Sequence, residues 1–233
     1  MRIASSYPNY LRTVYDANPN LEKQPFEKQY RRVMDDAFGW ADFFSQALAG
    51  LGYEAWEPIS NAEVMQKAWA KEHSINISDK DWVREVVIAQ TRHFRPDVLF
   101  VPDYVLCTPA FCRHLRQVCG SIKLVVGWCS APYHDHRVFE GQDILLTSMP
   151  RFVTKFRSLG FNAHQMYHAF HPPILRMLHS EDKSPIPFSF VGSIFNKIGL
   201  HKTRAKLVTH LVQHTALPRV ATGVTEADFV RAS

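Results

Sequence analysis

Three stretches of this sequence hold residues whose types and spacing suit chemistry on a charged or hydroxylated substrate. The first is CSAPYHDHR, residues 129–137, with His134, Asp135 and His136 in succession. A carboxylate beside an imidazole can take the proton of a hydroxyl nucleophile, work that needs a group titrating near neutrality. The same run could hold one side of a metal ion, but no third ligand follows it, and a solvated polar loop has the same composition. The second is Asp103, directly after the apolar run DVLFVP at 97–102. An Asp in that place either forms a turn or supplies another candidate base. The third is FVGSIFNKIGLHKTRAK, residues 190–206. Gly192 and Ser193 end an apolar run there, and His201, Lys202 and Arg204 follow on a helical pattern. Free backbone N–H groups at a strand–helix turn, with basic side chains beside them, suit a phosphate. The glycine spacing matches neither the P-loop nor the dinucleotide fingerprint, so a plain turn with surface basic residues competes with that reading.

Other groups are less pointed. YHAFHPP (167–173) puts His168 and His171 where a strand runs into a proline-rich segment, either as ligand contacts or as structure at a crossover. Tyr7, Tyr10 and Tyr15, with Asn9 and Asn18, either line a sugar-acceptor pocket or pack as a surface loop. Cys107, Cys112, Cys119 and Cys129 are too few for a secreted disulfide framework, and their spacing with His114 matches no zinc ribbon or finger. They read as buried small hydrophobes.

The elements that must position these residues alternate between strand and helix. A short strand at Arg2–Ser5 leads into a Tyr/Asn/Pro-rich loop. Phe26, Tyr30, Val33, Ala37, Ala41, Phe44, Leu48 and Leu51 then form one stripe at helical period, with a bend expected at Gly39. Tyr53–Pro58 reads as a strand and Asn61–Glu72 as a helix. Ser78 and Asp81 open a helix running to about Phe94. The runs DVLFVP (97–102), IKLVVGW (122–128) and DILLTS (143–148) do not alternate, which predicts parallel strands buried on both faces. Thr108-Pro109 and Pro150 start helices between and after them, and His164–Tyr167 fits a last strand. This succession predicts a doubly wound α/β fold with a Rossmann-like parallel sheet.

Four prolines between Pro172 and Pro187, around the polar stretch HSEDKS, mark a linker. The expected organisation is a first domain at 1–178, a linker at 179–186, and the opening strand–helix unit of a second domain at 187–233. About 40 residues cannot bury a core alone, so the second part either leans on the first or is incomplete.

Charge follows the same division. Residues 1–133 carry 15 Lys and Arg against 15 Asp and Glu, whereas 134–233 carry 12 against 7 and nine of the 12 histidines. The net charge of +5 therefore resides in the second half, which favours an anion site there. The basic residues are scattered and no RNP-like or finger pattern accompanies them, which argues against nucleic acid. No apolar run approaches the ~20 residues of a membrane span, and MRIASSYPNY lacks a signal-peptide core, so a soluble, cytoplasmic protein is expected.

Taken in order, PDVLFVPD (96–103), VGWCSAP (126–132), DILLTS (143–148), SLGF (158–161), HAFHPPIL (168–175) and FSFVGSI with a following H-x-x-R (188–204) resemble glycosyltransferases of the GT-B type. The similarity is greatest to the CgeB-like, spore-maturation-protein-like group, and it covers almost the whole chain. The resemblance implies two Rossmann-like domains and transfer of a sugar from a nucleotide sugar to a glycan or other hydroxyl acceptor, without a metal or other cofactor. It implies that Gly192 and Ser193 approach the donor diphosphate, that His201 and Arg204 form the H-x-x-R after it, and that His168 lines the cleft. It also makes Asp135 or Asp103 the general base, with His134 beside it. Most of the donor domain, with its ribose-binding acid, is missing from the pattern, so this chain is expected to be a fragment whose own binding of a nucleotide sugar is weak or absent. The alternative is a non-catalytic glycan- or partner-binding module of the same fold.

Overall fold

The computed structural model describes residues 1–177 and 200–215. Two compact units divide the chain, Met1–Arg176 and Met177–Ser233.

The first unit is built on a four-stranded parallel sheet, β1 (Val98–Val101), β2 (Leu124–Trp128), β3 (Ile144–Thr147) and β4 (Ala163–Gln165), in the order β1-β2-β3-β4. β1, β2 and β3 lie inside the three apolar runs, and β4 overlaps the strand expected at His164–Tyr167 at His164 and Gln165. The N-terminal segment continues the sheet beyond β1 through parallel bridges Arg2↔Phe100 and Ala4↔Ile59. Backbone bonds Ile3 N–H to Phe100 O (2.9 Å) and Ala4 N–H to Pro58 O (3.0 Å) hold it there. The chain near Ile59 is therefore outermost, then Arg2–Ala4, then β1 to β4. Of the strand expected at Tyr53–Pro58, only the end pairs, through Trp56 O accepting from Arg2 N–H (2.9 Å) and Pro58 O from Ala4 N–H, up to the bridge at Ile59.

Helices α1 (Pro8–Ala17), α2 (Phe26–Asp35) and α3 (Phe43–Ala49) lie between the N-terminal segment and Ile59. The Tyr/Asn/Pro-rich stretch expected to be a loop is thus largely α1: Pro8 presets the first turn, and Leu11 and Val14 bury a short stripe. The long stripe from Phe26 does break at the bend, where Ala37, Gly39 and Ala41 all have positive φ. Helices α4 (Glu63–Glu72) and α5 (Trp82–Phe94) then lead into β1, α6 (Pro109–Val118) joins β1 to β2, and α7 (Pro150–Ser158) joins β3 to β4. Thr108 caps α6 by accepting from Phe111 N–H at 3.3 Å. A short α8 (Ile174–Met177) follows β4, and α9 (Leu200–His214) forms where the helical pattern through His201, Lys202 and Arg204 is expected.

The sheet is covered unequally. Leu99, Val101 and Val125 point to one face and are fully buried against Val87 of α5 and Phe111, Cys112 and Leu115 of α6. Each such side chain contributes about 1.5–3 kcal/mol by leaving water. Leu145 and Ala163 of β3 and β4, in register with Gly127 of β2, lie on the same face and bury toward the β4 edge with Phe139 and with Phe156 of α7. The alternate positions Phe100, Leu124, Val126, Ile144 and Leu146 are only half-buried, and Val98 is exposed. Full burial of both faces, expected from the unbroken apolar runs, holds for one face; on the other, Phe44 of α3 packs on Phe100 at 5.5 Å and Trp40, just before α3, on Trp128 at 5.5 Å. A separate helical core joins α1, α2, α4 and α5.

One buried ion pair fastens α3 to the sheet. Arg2 pairs with Glu57, both almost completely buried, while Arg2 donates to Ala41 O at 2.9 Å and Glu57 accepts from Ser45 N–H at 2.6 Å. The Arg2 guanidinium also lies over the Trp40 and Phe44 rings, at 5.3 and 5.1 Å.

Candidate functional site

In an open parallel sheet, a crevice forms at the carboxyl ends of two neighbouring strands whose connections leave in opposite directions. Here the chain leaves Arg2–Ala4 toward Ile59 and leaves β1 toward β2, so that point lies between Ala4 and Val101. The loops flanking it begin at Ser5 and at Pro102.

The loop after β1 carries Asp103. Its Oδ1 accepts from Val105 N–H (3.0 Å) and Leu106 N–H (3.1 Å), closing a tight turn. Asp103 lines a shallow cavity of about 360 Å³ with Lys80, Asp81, Val83, Arg84, Val105 and Leu106. Lys80 and Arg84 stand at the start of α5, and neither forms an ion pair among the described residues. Arg84 instead rests over the Phe111 ring at 5.6 Å. These two cations were not singled out in the sequence. Their spacing of four around SDKDWVR was the available signal, but their meeting with Asp103 depends on α5 packing beside β1.

The loop after β2 carries the other candidates. Asp135 caps a single 3-10 turn at His136–Phe139 and is held by Arg137 through its backbone N–H (2.9 Å) and Nε (2.8 Å). The Arg137 side chain first, then its backbone N–H, brings the Asp135 carboxyl down to about 2 from its ordinary 3.8. His136 Nδ1 is 3.9 Å from the same carboxylate, and His134 is exposed. Asp103 and Asp135 share one end of the sheet, because their neighbours Tyr104 and Tyr133 both pack edge-on against Phe139, at 5.1 and 5.2 Å. No hydrogen bond joins the two carboxylates.

Where β2 and β3 end, Ser130, Thr147 and Ser148 form a hydroxyl network. Ser130 Oγ lies 3.2 Å from Thr147 Oγ1 and accepts from Ser148 N–H at 2.7 Å. Past β4, His168 sits edge-on to Trp40 (5.9 Å) and Trp128 (5.3 Å). His171 stacks on Phe43 at 4.2 Å and reaches Gln46 Oε1 at 3.2 Å. Both histidines pin the segment after β4 to the residues of and beside α3.

The N-terminal tyrosines divide. Tyr10 bonds Asp36 (3.1 Å) and Val33 O, and Tyr15 bonds Gln29 (2.6 Å), so their hydroxyls are engaged within the fold. Tyr7 is 71% exposed, with its ring edge on Phe38. The four cysteines are free and buried, and burial pushes the Cys112 thiol up to about 11. Among the described residues no three or more His, Cys, Asp or Glu side chains come together as a metal site. Gly192, Ser193 and the side chain of His201 lie outside the described residues; Arg204 is on α9 and exposed.

The fold and this edge define a Rossmann-like α/β protein with a parallel sheet flanked by helices, and no helix among the described residues is long and apolar enough to cross a membrane. No protein-family model, curated protein or solved structure matches the chain.

Proposed function

We propose that this chain is the acceptor-side part, with the opening strand–helix unit of the donor-side part, of a GT-B-type glycosyltransferase using a nucleotide sugar. The observation that supports the reading most is Asp103 in the loop that leaves the carboxyl end of β1, where it lines a cavity with Lys80 and Arg84 at the start of α5. In the proposed reaction the acceptor hydroxyl gives its proton to Asp103 as its oxygen attacks the anomeric carbon. The bond from that carbon to the diphosphate oxygen breaks, and the nucleoside diphosphate leaves with the electron pair. The leaving charge falls to Gly192, Ser193, His201 and Arg204, the residues that the resemblance assigns to the diphosphate, in place of a metal. His168 lines the cleft. Asp103 takes the role of base in preference to Asp135, which Arg137 keeps weakly basic.

Gly192→Val tests the donor half, because a branched side chain blocks close approach of the backbone to phosphate. Loss of transfer with the fold intact is the expected result, and normal turnover removes the phosphate-turn assignment. A second reading, a non-catalytic glycan- or partner-binding module, draws on the engagement of both candidate carboxylates in turns. It requires sugar binding without consumption of any donor.

A further inference from the structure

Helix α9 (Leu200–His214) carries His210 and His214 four residues apart, hence on one face. Their imidazoles stack with centroids 4.2 Å apart and planes 22° from parallel, so their in-plane lone pairs run side by side and the exposed His210 ring must turn about its χ angles for both to meet one ion. His214 Nδ1 is 3.0 Å from His210 O. A carbonyl oxygen only accepts, so Nδ1 carries the proton and Nε2 is the nitrogen with the lone pair. Hydrogen bonding of one ring nitrogen to a carbonyl is the arrangement that orients a histidine for ligation through the other. Both side chains are exposed, so water can fill the remaining coordination positions.

From this pairing we infer that α9 binds a late first-row divalent cation, Cu²⁺ or Zn²⁺, as a two-imidazole chelate with water in the open positions. Imidazole suits these ions, whereas Mg²⁺ and Ca²⁺ prefer oxygen. Two ligands on one rigid helical turn raise the effective concentration of the second nitrogen once the first has bound. Lys206, one turn earlier, is exposed and can keep its ammonium in water, away from the ion. The site stands apart from the proposed sugar transfer and needs no residue of it. Bound metal would tie together the last two turns of α9, where carbonyls lack helical partners.

The test is a titration of the full chain with Cu²⁺ below stoichiometry, reading each imidazole by NMR, with Mg²⁺ as control. The expected result is selective broadening of His210 and His214 before the other histidines of the twelve. Zn²⁺ should shift the same two signals. The double substitution Thr209→His with His210→Gln keeps the number of histidines but puts the pair on different faces; it should weaken Cu²⁺ binding at least about tenfold. His210→Ala should do the same, with an unchanged amide spectrum elsewhere showing that the fold persists. Equal broadening across all histidines, or undiminished affinity in the displaced pair, would overturn the chelate.

Discussion

Arg137 grips Asp135 from two directions: its backbone N–H reaches Oδ1 at 2.9 Å, and its guanidinium reaches Oδ2 at 2.8 Å through Nε and 2.6 Å through Nη2. The carboxylate thereby caps the 3-10 turn that starts at His136 and aims the loop after β2. Folding lowers the Asp135 pKa, so its contribution to stability is fully present above the ordinary 3.8 and is lost as pH falls through about 2. Carboxyl NMR should therefore give a midpoint near 2, and Arg137→Ala should return it toward 3.8. An unchanged midpoint in that variant would remove Arg137 as the cause.

The Arg2–Glu57 pair makes a stability prediction of a different kind. Either Arg2→Ala or Glu57→Ala leaves its partner charged and buried, at a cost of about 3–5 kcal/mol in urea unfolding. Arg2→Met combined with Glu57→Leu should recover most of that loss. If the single variants unfold like the parent, the pair does not hold α3 on the sheet.

Gly127 in β2 faces the Gln142 side chain so closely that an added Cβ would come within 1.7 Å of Oε1. Gly127→Ala should destabilise by about 1 kcal/mol or less, because the amide at the end of the flexible, half-buried Gln142 side chain can swing aside. Gln142→Ala in the same chain should remove most of the penalty. A double-mutant cycle reads this directly, and additive effects would refute the contact.

Burial and the raised thiol pKa values of Cys107, Cys112 and Cys129 predict slow chemistry. A thiol reagent should modify none of the four cysteines at a free-thiol rate until the protein is unfolded. One fast-reacting cysteine under native conditions would contradict the packing of α6 and β2.

Much of this architecture is legible from local chemistry. The unbroken runs around Leu99, Val125 and Leu145 mark buried parallel strands, and Thr108-Pro109 marks the start of α6. What escapes is set by tertiary context. The turn-forming residues around Pro8 and Asn18 hide the Leu11–Val14 stripe of α1. Alternation cannot distinguish a strand face covered by a helix from one left half-exposed, as at Val126 and Leu146. Asp103 and Asp135 are visible as strand-end acids, but their turn bonds and the Lys80–Arg84 cavity arise only when α5 and the loops meet.

The central claim is sugar transfer with Asp103 as base. The direct test is release of nucleoside diphosphate from a panel of nucleotide sugars by the intact gene product, in the presence and absence of hydroxyl acceptors. The account predicts acceptor-dependent release that falls about 10²–10⁴-fold in Asp103→Asn and stays near the parent rate in Asp135→Asn. No consumption of any donor, or full turnover by Asp103→Asn, would contradict it.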